Sequence, residues 1–469
     1  MRAKKAFLFL AAIGIVSMAA FFHPAPASAQ TKPVVKKDAK KARQAAEKGR
    51  TAFGKRDYRI AIENYTQAVQ FDPDNPDNHF WKGAAHYQLN EHSSAIPELE
   101  LALTKGYKDQ VTLYGIRWRS YFAEKNYDAA LADVKKASEL APNNIEFLQA
   151  TGDISLAKGD YPGSIEAYRK VIAKEPSRSN LYIEIARASA KMGDVQGQVA
   201  AAEEAVKRPS PALGEAYLLL AQGYQKQRKF DEAIAAYQKV VAARPDEYDA
   251  YRNLAELLRN QNRFTEAIET LRRALRLFPN DGRIYTNLGS LYSLADRHEE
   301  ATQAAQAGVR FLPNEYLAYT NLCRAYNDVK KAEMAIRECN NALRLNPNDG
   351  ETYFYLARAN DLALKPNEAT QFYKKAVSGL LEFTKNNPDS SYGFYLLGNA
   401  YFADNQQGKA IDAYEKCLEL SPRFVRARYN VGIIQLRQKN KTAALEQYNR
   451  LLEMDPELAG KLKVEIDKS

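Results

Sequence analysis

The sequence predicts an all-α solenoid of about twelve helix–turn–helix repeats. Three observations predict it. The tetrapeptide YTNL occurs at Tyr285–Leu288 and recurs at Tyr319–Leu322, with YRNL the same distance earlier at Tyr251–Leu254. Prolines keep that step through Pro142, Pro176, Pro245, Pro279, Pro313 and Pro347, except that Pro176 to Pro245 spans 69 residues, one repeat of 34 and one of 35, and they resume it at Pro388, Pro422 and Pro456. Between prolines the apolar spacing is helical: Tyr217, Leu220, Ala221 and Tyr224 share one face, and Ala233, Tyr237 and Val240 line a second helix after the polar turn QKQRK.

Residues 1–29 read as a secretion signal. MRAKK is a basic start, Ala6–Phe22 an apolar run, and Ala27-Ser28-Ala29 a small-residue triplet with cleavage expected after Ala29. No cysteine follows the run, which disfavours a lipoprotein anchor. An uncleaved membrane anchor is the alternative, because the run sits at the lower limit of a span. No later segment is apolar enough to cross a bilayer, so the expected home is the bacterial periplasm or the exterior. Residues 30–41 form a basic flexible arm. The formal charge of +10 is concentrated here: the leader carries +3 and residues 30–50 carry +6, leaving a nearly neutral body. That distribution argues against nucleic acid as a partner. Anionic lipid or peptidoglycan contact by the arm is weighed against a solvated linker.

Units one to ten occupy residues 42–387, the first two with weaker patterns. The fifth ends in KRPSPAL, an expected joint near 207–213. The tenth runs on through VSGLLEFTKNNP, placing Pro388 seven residues late. Seven residues are nearly two helical turns, so an extended helix near 377–387 keeps its apolar face in phase. The last two units cover 388–456. The tail, 457–469, spaces Leu458, Leu462 and Ile466 as a capping helix.

Tyr217, Leu220, Ala221, Tyr224, Ala233, Tyr237 and Pro245 in one unit, and Phe394, Leu397, Gly398, Tyr401, Ala410, Tyr414 and Pro422 in another, resemble the tetratricopeptide repeat family. The resemblance covers nearly the whole mature chain. It implies a right-handed superhelix whose first helices line a concave groove. Small residues such as Ala255, Gly289 and Ala357 mark the close approach of the two helices of a hairpin.

In such a groove Asn253, Asn287 and Asn321 occupy the same place in three successive units, with Asn430 in the last. An asparagine ladder can pair with the backbone of an extended peptide. It is similar to the ladder of O-linked N-acetylglucosamine transferases, which resemble this chain only in the repeats. The alternative is a solvated polar place. Arg252, Arg259, Arg324 and Arg358 face the same side and could clamp a carboxylate, but Glu256, Asp328 and Asp361 interleave with them, and a mutually neutralising face is the expectation. The chaperone-binding Lys/Asn clamp of the family has no match in register. Phe354, Tyr355, Tyr392, Tyr395, Phe402 and Tyr429 fall outside the core places. They form either a groove for peptide or glycan, or packing around the extended helix.

Cys323 and Cys339 fall on the two helices of one hairpin. Buried free thiols are the expected state, with a disulfide open to them after export. Cys417 is expected to be an inert core thiol. His79, His86 and His92 are expected to be surface histidines, not metal ligands. No nucleophile elbow, P-loop, dinucleotide-binding or zinc motif occurs, and no histidine follows His298. The expected function is a non-enzymatic, cofactor-free interaction scaffold of the bacterial envelope. It binds a protein or peptide partner through Asn253, Asn287, Asn321, Arg252, Arg324, Arg358, Tyr355 and Tyr395. A glycan-binding module of an export complex is the alternative.

Overall fold

The computed structural model describes residues 37–178 and 180–469. The signal, its cleavage site and most of the basic arm lie outside the described residues. Twenty-five helices and no strand occur among the described residues. None of these helices is long and apolar enough to cross a membrane.

The chain divides into two compact units at Pro142. In the first, α1 (Ala39–Gly54) pairs with α2 (Tyr58–Phe71), α3 (Pro76–Gln88) with α4 (His92–Thr104), and α5 (Gln110–Ala123) with α6 (Tyr127–Leu140). The second opens with α7 (Ile145–Lys158) on α8 (Tyr161–Lys174), α9 (Asn180–Met192) on α10 (Val195–Val206), and α11 (Leu213–Lys226) on α12 (Phe230–Ala243). It continues with α13 (Tyr248–Asn260) on α14 (Phe264–Leu277), α15 (Gly282–Leu294) on α16 (His298–Phe311), and α17 (Tyr316–Asp328) on α18 (Ala332–Leu345). The last hairpins are α19 (Gly350–Leu362) with α20 (Pro366–Asn386), α21 (Ser391–Ala403) with α22 (Gln407–Leu420), and α23 (Val425–Arg437) with α24 (Lys441–Leu452). A final helix, α25 (Pro456–Lys468), buries Leu462 and Ile466 against the last hairpin. There are thus twelve hairpins and a cap among the described residues.

The period has a structural cause at several of the joints. Pro245, Pro279 and Pro313 lie two residues beyond the second helices that they follow. Each leaves a carbonyl that no helix satisfies. The tyrosine six residues on donates its hydroxyl to that carbonyl: Tyr251 to Pro245 at 3.1 Å, Tyr285 to Pro279 at 3.1 Å and Tyr319 to Pro313 at 3.0 Å. Arg428 replaces tyrosine against Pro422, at 3.0 Å. His79 does so against Pro73, its Nε2 lying 3.0 Å from the carbonyl oxygen. This corrects the expectation for the histidines. His79 is only 4% exposed, with Nδ1 2.7 Å from Glu98, while His86 is partly buried against Glu91. The hydrogen bond that His79 donates to Glu98 raises the His79 pKa above its ordinary value.

The turn inside every hairpin repeats as well. One residue in each takes a positive φ, including Gly159 and Gly193 but also ten residues that are not glycine. Leu364 is the costliest of these, a branched apolar side chain at φ 58° and 87% exposed.

Within hairpins the small places are sterically required. A Cβ on Gly152 would lie 2.4 Å from the ring of Tyr168, and one on Gly398 2.5 Å from the ring of Tyr414. The helix α20 has 21 residues, against 14 in α18 and α22. Its added turns cross the start of α19 backbone to backbone. A Cβ on Gly350 would meet the Leu380 nitrogen at 2.4 Å and the Gly379 carbonyl carbon at 2.7 Å. Backbone cannot rotate aside as a side chain can, so Gly350→Ala should cost about 1–3 kcal/mol. Urea denaturation would measure this, and an unchanged midpoint would contradict the crossing.

Candidate partner-binding site

First helices of the later hairpins of the second unit, from α13 on, converge on one interior. Tyr392, in the first turn of α21, lies at its centre. Its hydroxyl accepts a hydrogen bond from Arg324 Nη1 on α17 at 2.9 Å and donates to Glu351 Oε1 on α19 at 2.9 Å. The Tyr355 hydroxyl lies 3.4 Å away, and the Arg259 guanidinium of α13 sits 5.2 Å over the Tyr392 ring. Four helices therefore meet at one phenol. Farther along, Ser421 donates to the Asn260 carbonyl, and Arg426 Nη2 bonds the Leu294 carbonyl at 2.9 Å and Asp296 at 2.8 Å. The last hairpin and the joint before it thus touch the seventh and eighth. Where the expectation was an open groove, this concave face is bridged by its own later hairpins.

A cavity lies on either side of that bridge. One, of about 850 Å³, is lined by Asn287, Asn321, Glu351, Glu382, Asp389 and Tyr392 among others, and is rich in carboxylates. The other, of about 660 Å³, is lined by Arg324, Arg358, Arg426, Tyr355, Tyr395 and Phe402 among others, and is rich in guanidinium groups. Of the sequence-predicted residues, Asn287 and Asn321 line the first, and Arg324, Arg358, Tyr355 and Tyr395 the second. Arg252 and Asn253 line neither; Arg252 borders a smaller hollow of about 190 Å³ together with Asn287. Asn253 is half-buried, and its side chain makes no hydrogen bond among the described residues.

The asparagines are partly committed within the fold. Asn287 Nδ2 donates to the Tyr248 hydroxyl at 2.8 Å, and Asn321 Nδ2 to the Thr286 carbonyl at 3.0 Å. Asn430 Nδ2 donates to Asn399 and to the Tyr414 hydroxyl. In Asn287 and Asn321 the carbonyl oxygens remain available as acceptors. The arginines are largely neutralised, as expected: Arg252 with Asp249 at 3.2 Å, Arg259 with Glu256 at 3.7 Å, and Arg358 with Asp328 at 3.7 Å. Arg324 differs. It is 6% exposed and forms no ion pair among the described residues. The extra aromatics pack: Phe354 and Tyr355 are buried, and Tyr395 lies 4.8 Å from the Phe424 ring.

Burial pushes the Glu351 carboxyl up to about 7, with Asp349 adding to the rise and Arg324, Tyr392 and Arg259 opposing it. Asp349 is itself raised by burial. A carboxyl whose folded pKa exceeds its unfolded value favours folding fully at low pH, and the benefit is lost as pH rises through 7. Glu351→Gln keeps an acceptor for Tyr392 and removes that loss. Between pH 5 and 8 the parent should lose about 2 kcal/mol relative to this variant in denaturant titrations. Parallel pH profiles would refute the assignment.

Cys323 on α17 and Cys339 on α18 are joined in a disulfide, their Cα atoms 5.2 Å apart. This corrects the expectation of free thiols. Cys323 takes the small place and Cys339 the facing place that holds a large residue in other hairpins, sixteen residues on as Tyr168 follows Gly152, which brings the two carbons within bridging distance. Cys417 is a buried free thiol whose pKa burial raises. No cluster of potential metal ligands occurs among the described residues.

Family models described as tetratricopeptide repeat match residues 150–213, 218–282, 257–316 and 395–459, and one described as TPR repeat matches 55–90. Together these segments span more than half of the 469 residues. The chain is a tetratricopeptide-repeat protein. Among curated relatives, the UDP-N-acetylglucosamine–peptide N-acetylglucosaminyltransferase of Giardia intestinalis is 32% identical over 96 residues, 20% of this chain and 6% of that one. The BBSome complex member BBS4 of Bos taurus is 26% identical over 230 residues, 41% of this chain and 43% of that one. The RNA polymerase II-associated protein 3 of Rattus norvegicus is 27% identical over 209 residues, 45% of this chain and 28% of that one. The chain therefore spans less than half the length of each. Among solved structures, yeast Tom70 aligns loosely, at 15% identity and a TM-score of 0.39, over 90% of this chain and 94% of that chain. Tetratricopeptide repeats generally mediate contact between proteins, and the scaffold is generally non-catalytic, although the Giardia relative is named as a transferase.

Proposed function

We propose that this chain is a non-enzymatic interaction scaffold of the bacterial envelope, holding an extended segment of a protein partner against the first helices of its second unit. The observation that carries this reading is the pair of cavities flanking Tyr392, lined by polar side chains from successive first helices. Carboxamide oxygens of Asn287 and Asn321 point acceptors at a peptide backbone, and the aromatic and guanidinium groups beyond them offer side-chain contacts. The leader-like residues 1–29 and the disulfide both suit an oxidising compartment outside the cytoplasm.

The test is capture of partners from an envelope extract by residues 30–469, identified by mass spectrometry, beside Asn253→Ala/Asn287→Ala/Asn321→Ala. The triple variant loses two internal hydrogen bonds, so it should be about 2 kcal/mol less stable yet still folded at the capture temperature. A protein held by the parent and lost by the folded variant supports the reading. Equal capture by both removes the asparagines from the interface.

A further inference from the structure

Arg324 is the one guanidinium of the 660 Å³ cavity wall without a carboxylate partner among the described residues. Arg358 has Asp328, and Arg426 has Asp296. The Arg324 hydrogen-bond partners are neutral, with Asp328 and Glu351 acting on it only from beyond ion-pair distance: Nη1 donates to the Tyr392 hydroxyl at 2.9 Å and Ser290 Oγ at 3.4 Å, and the group lies 5.6 Å over the Tyr355 ring. Nε and Nη2 have no hydrogen-bond acceptor among the described residues. Burying an unpaired guanidinium is costly, and its fork of parallel N–H donors matches a carboxylate in shape as well as charge. Across the cavity the cations Arg324, Lys330, Arg358 and Arg426 outnumber Asp296, Asp328 and Asp361. Lys330, Asp361 and Leu362 are exposed, so the cavity opens to solvent beside them. Its volume is that of a pocket for a small body, too little for a folded segment.

We infer that this cavity receives the side-chain carboxylate of one aspartate or glutamate from the partner segment, held in two parallel hydrogen bonds by Arg324 Nε and Nη2. Tyr355, Tyr395 and Phe402 flank the aliphatic part of that side chain. Arg358 adds positive charge at longer range. Asp361 at the mouth disfavours a second carboxylate, so the site selects one acid on a chain that passes outside it. This assignment rests on the proposed groove reading and gives it a sequence preference.

The probes are the capped peptide Ac-Gly-Glu-Gly-NH2, its glutamine counterpart and sodium acetate, followed by ligand-observed NMR with the whole chain. The expected result is binding of the glutamate peptide at least tenfold tighter than of the glutamine peptide, and tighter than of acetate. Arg324→Lys keeps the charge but loses the fork and should weaken the glutamate peptide about tenfold. Arg358→Gln, at a less buried place, should weaken it a few fold and guards against misfolding of the first variant. Equal binding of the glutamate and glutamine peptides, or no binding of the glutamate peptide, overturns the inference. Acetate binding as tightly as the peptide also overturns it and leaves a small-anion site. A chain that captures a partner through its asparagines yet shows no glutamate preference refutes this inference alone, whereas loss of the asparagine effect refutes the groove reading.

Discussion

Replacing Arg117 by methionine should cost about 3–5 kcal/mol, the largest effect of any single change considered. Arg117 on α5 and Asp133 on α6 are 9% and 4% exposed and form a two-pronged pair, Nε to Oδ2 at 2.8 Å and Nη2 to Oδ1 at 2.7 Å. Burial still raises the Asp133 pKa, against the pull of Arg117. The carboxylate is therefore an expensive ion that the arginine makes tolerable. Removing the arginine leaves the expense. Arg117→Met/Asp133→Leu removes both charges and should recover most of the loss, because a buried pair and an apolar replacement are often close in energy. Urea denaturation of both variants measures this. A double variant no more stable than the single one would show that the pair acts by shape and not by charge.

The second large effect is reduction of the disulfide. Cys323 and Cys339 are 16 residues apart, and closing a loop of that size restricts the unfolded chain by about 3 kcal/mol. The Cys323→Ala/Cys339→Ala chain should unfold at correspondingly lower urea. Both cysteines are fully buried, so reductant should act on the parent only as fast as the ninth hairpin opens. The two lesions lie in different compact units, and stability in a repeat array is transmitted mainly between neighbours. Each variant should move the unfolding of its own unit and leave the other nearly unchanged. Hydrogen exchange, read hairpin by hairpin, distinguishes this from a single cooperative collapse.

How much of this was legible beforehand follows from the range of each interaction. Hairpins and their small-residue places recur at the constant step of the prolines, so periodicity alone reveals them. The neutralised arginines are legible for the same reason, since Arg252 and Asp249 sit three apart on one helix. The role of His79 was available in the spacing too, six residues after Pro73 just as Tyr251 follows Pro245. The bridge at Tyr392 was not. Its partners Glu351, Arg324 and Arg259 lie 41, 68 and 133 positions away, and the curvature that brings them together is a small angle accumulated over many hairpins. Nor does a repeat pattern state that Arg324 lacks a carboxylate within ion-pair distance among the described residues, because that depends on which acids the curvature carries past it.

The hydrogen bond from tyrosine to the proline carbonyl bears on where such a chain can be cut and rejoined. The donor belongs to one hairpin and the acceptor to the hairpin before it, so a breakpoint between Pro279 and Tyr285 separates two halves of a matched pair. A breakpoint in the turn at Asn262 or Asp296 divides no such pair and leaves the same backbone conformation on both sides. Excising the segment from Asn262 to Ala295 would therefore rejoin like with like. By this measure the heritable module is the second helix of one hairpin with the first helix of the next, and the visible hairpin straddles two modules.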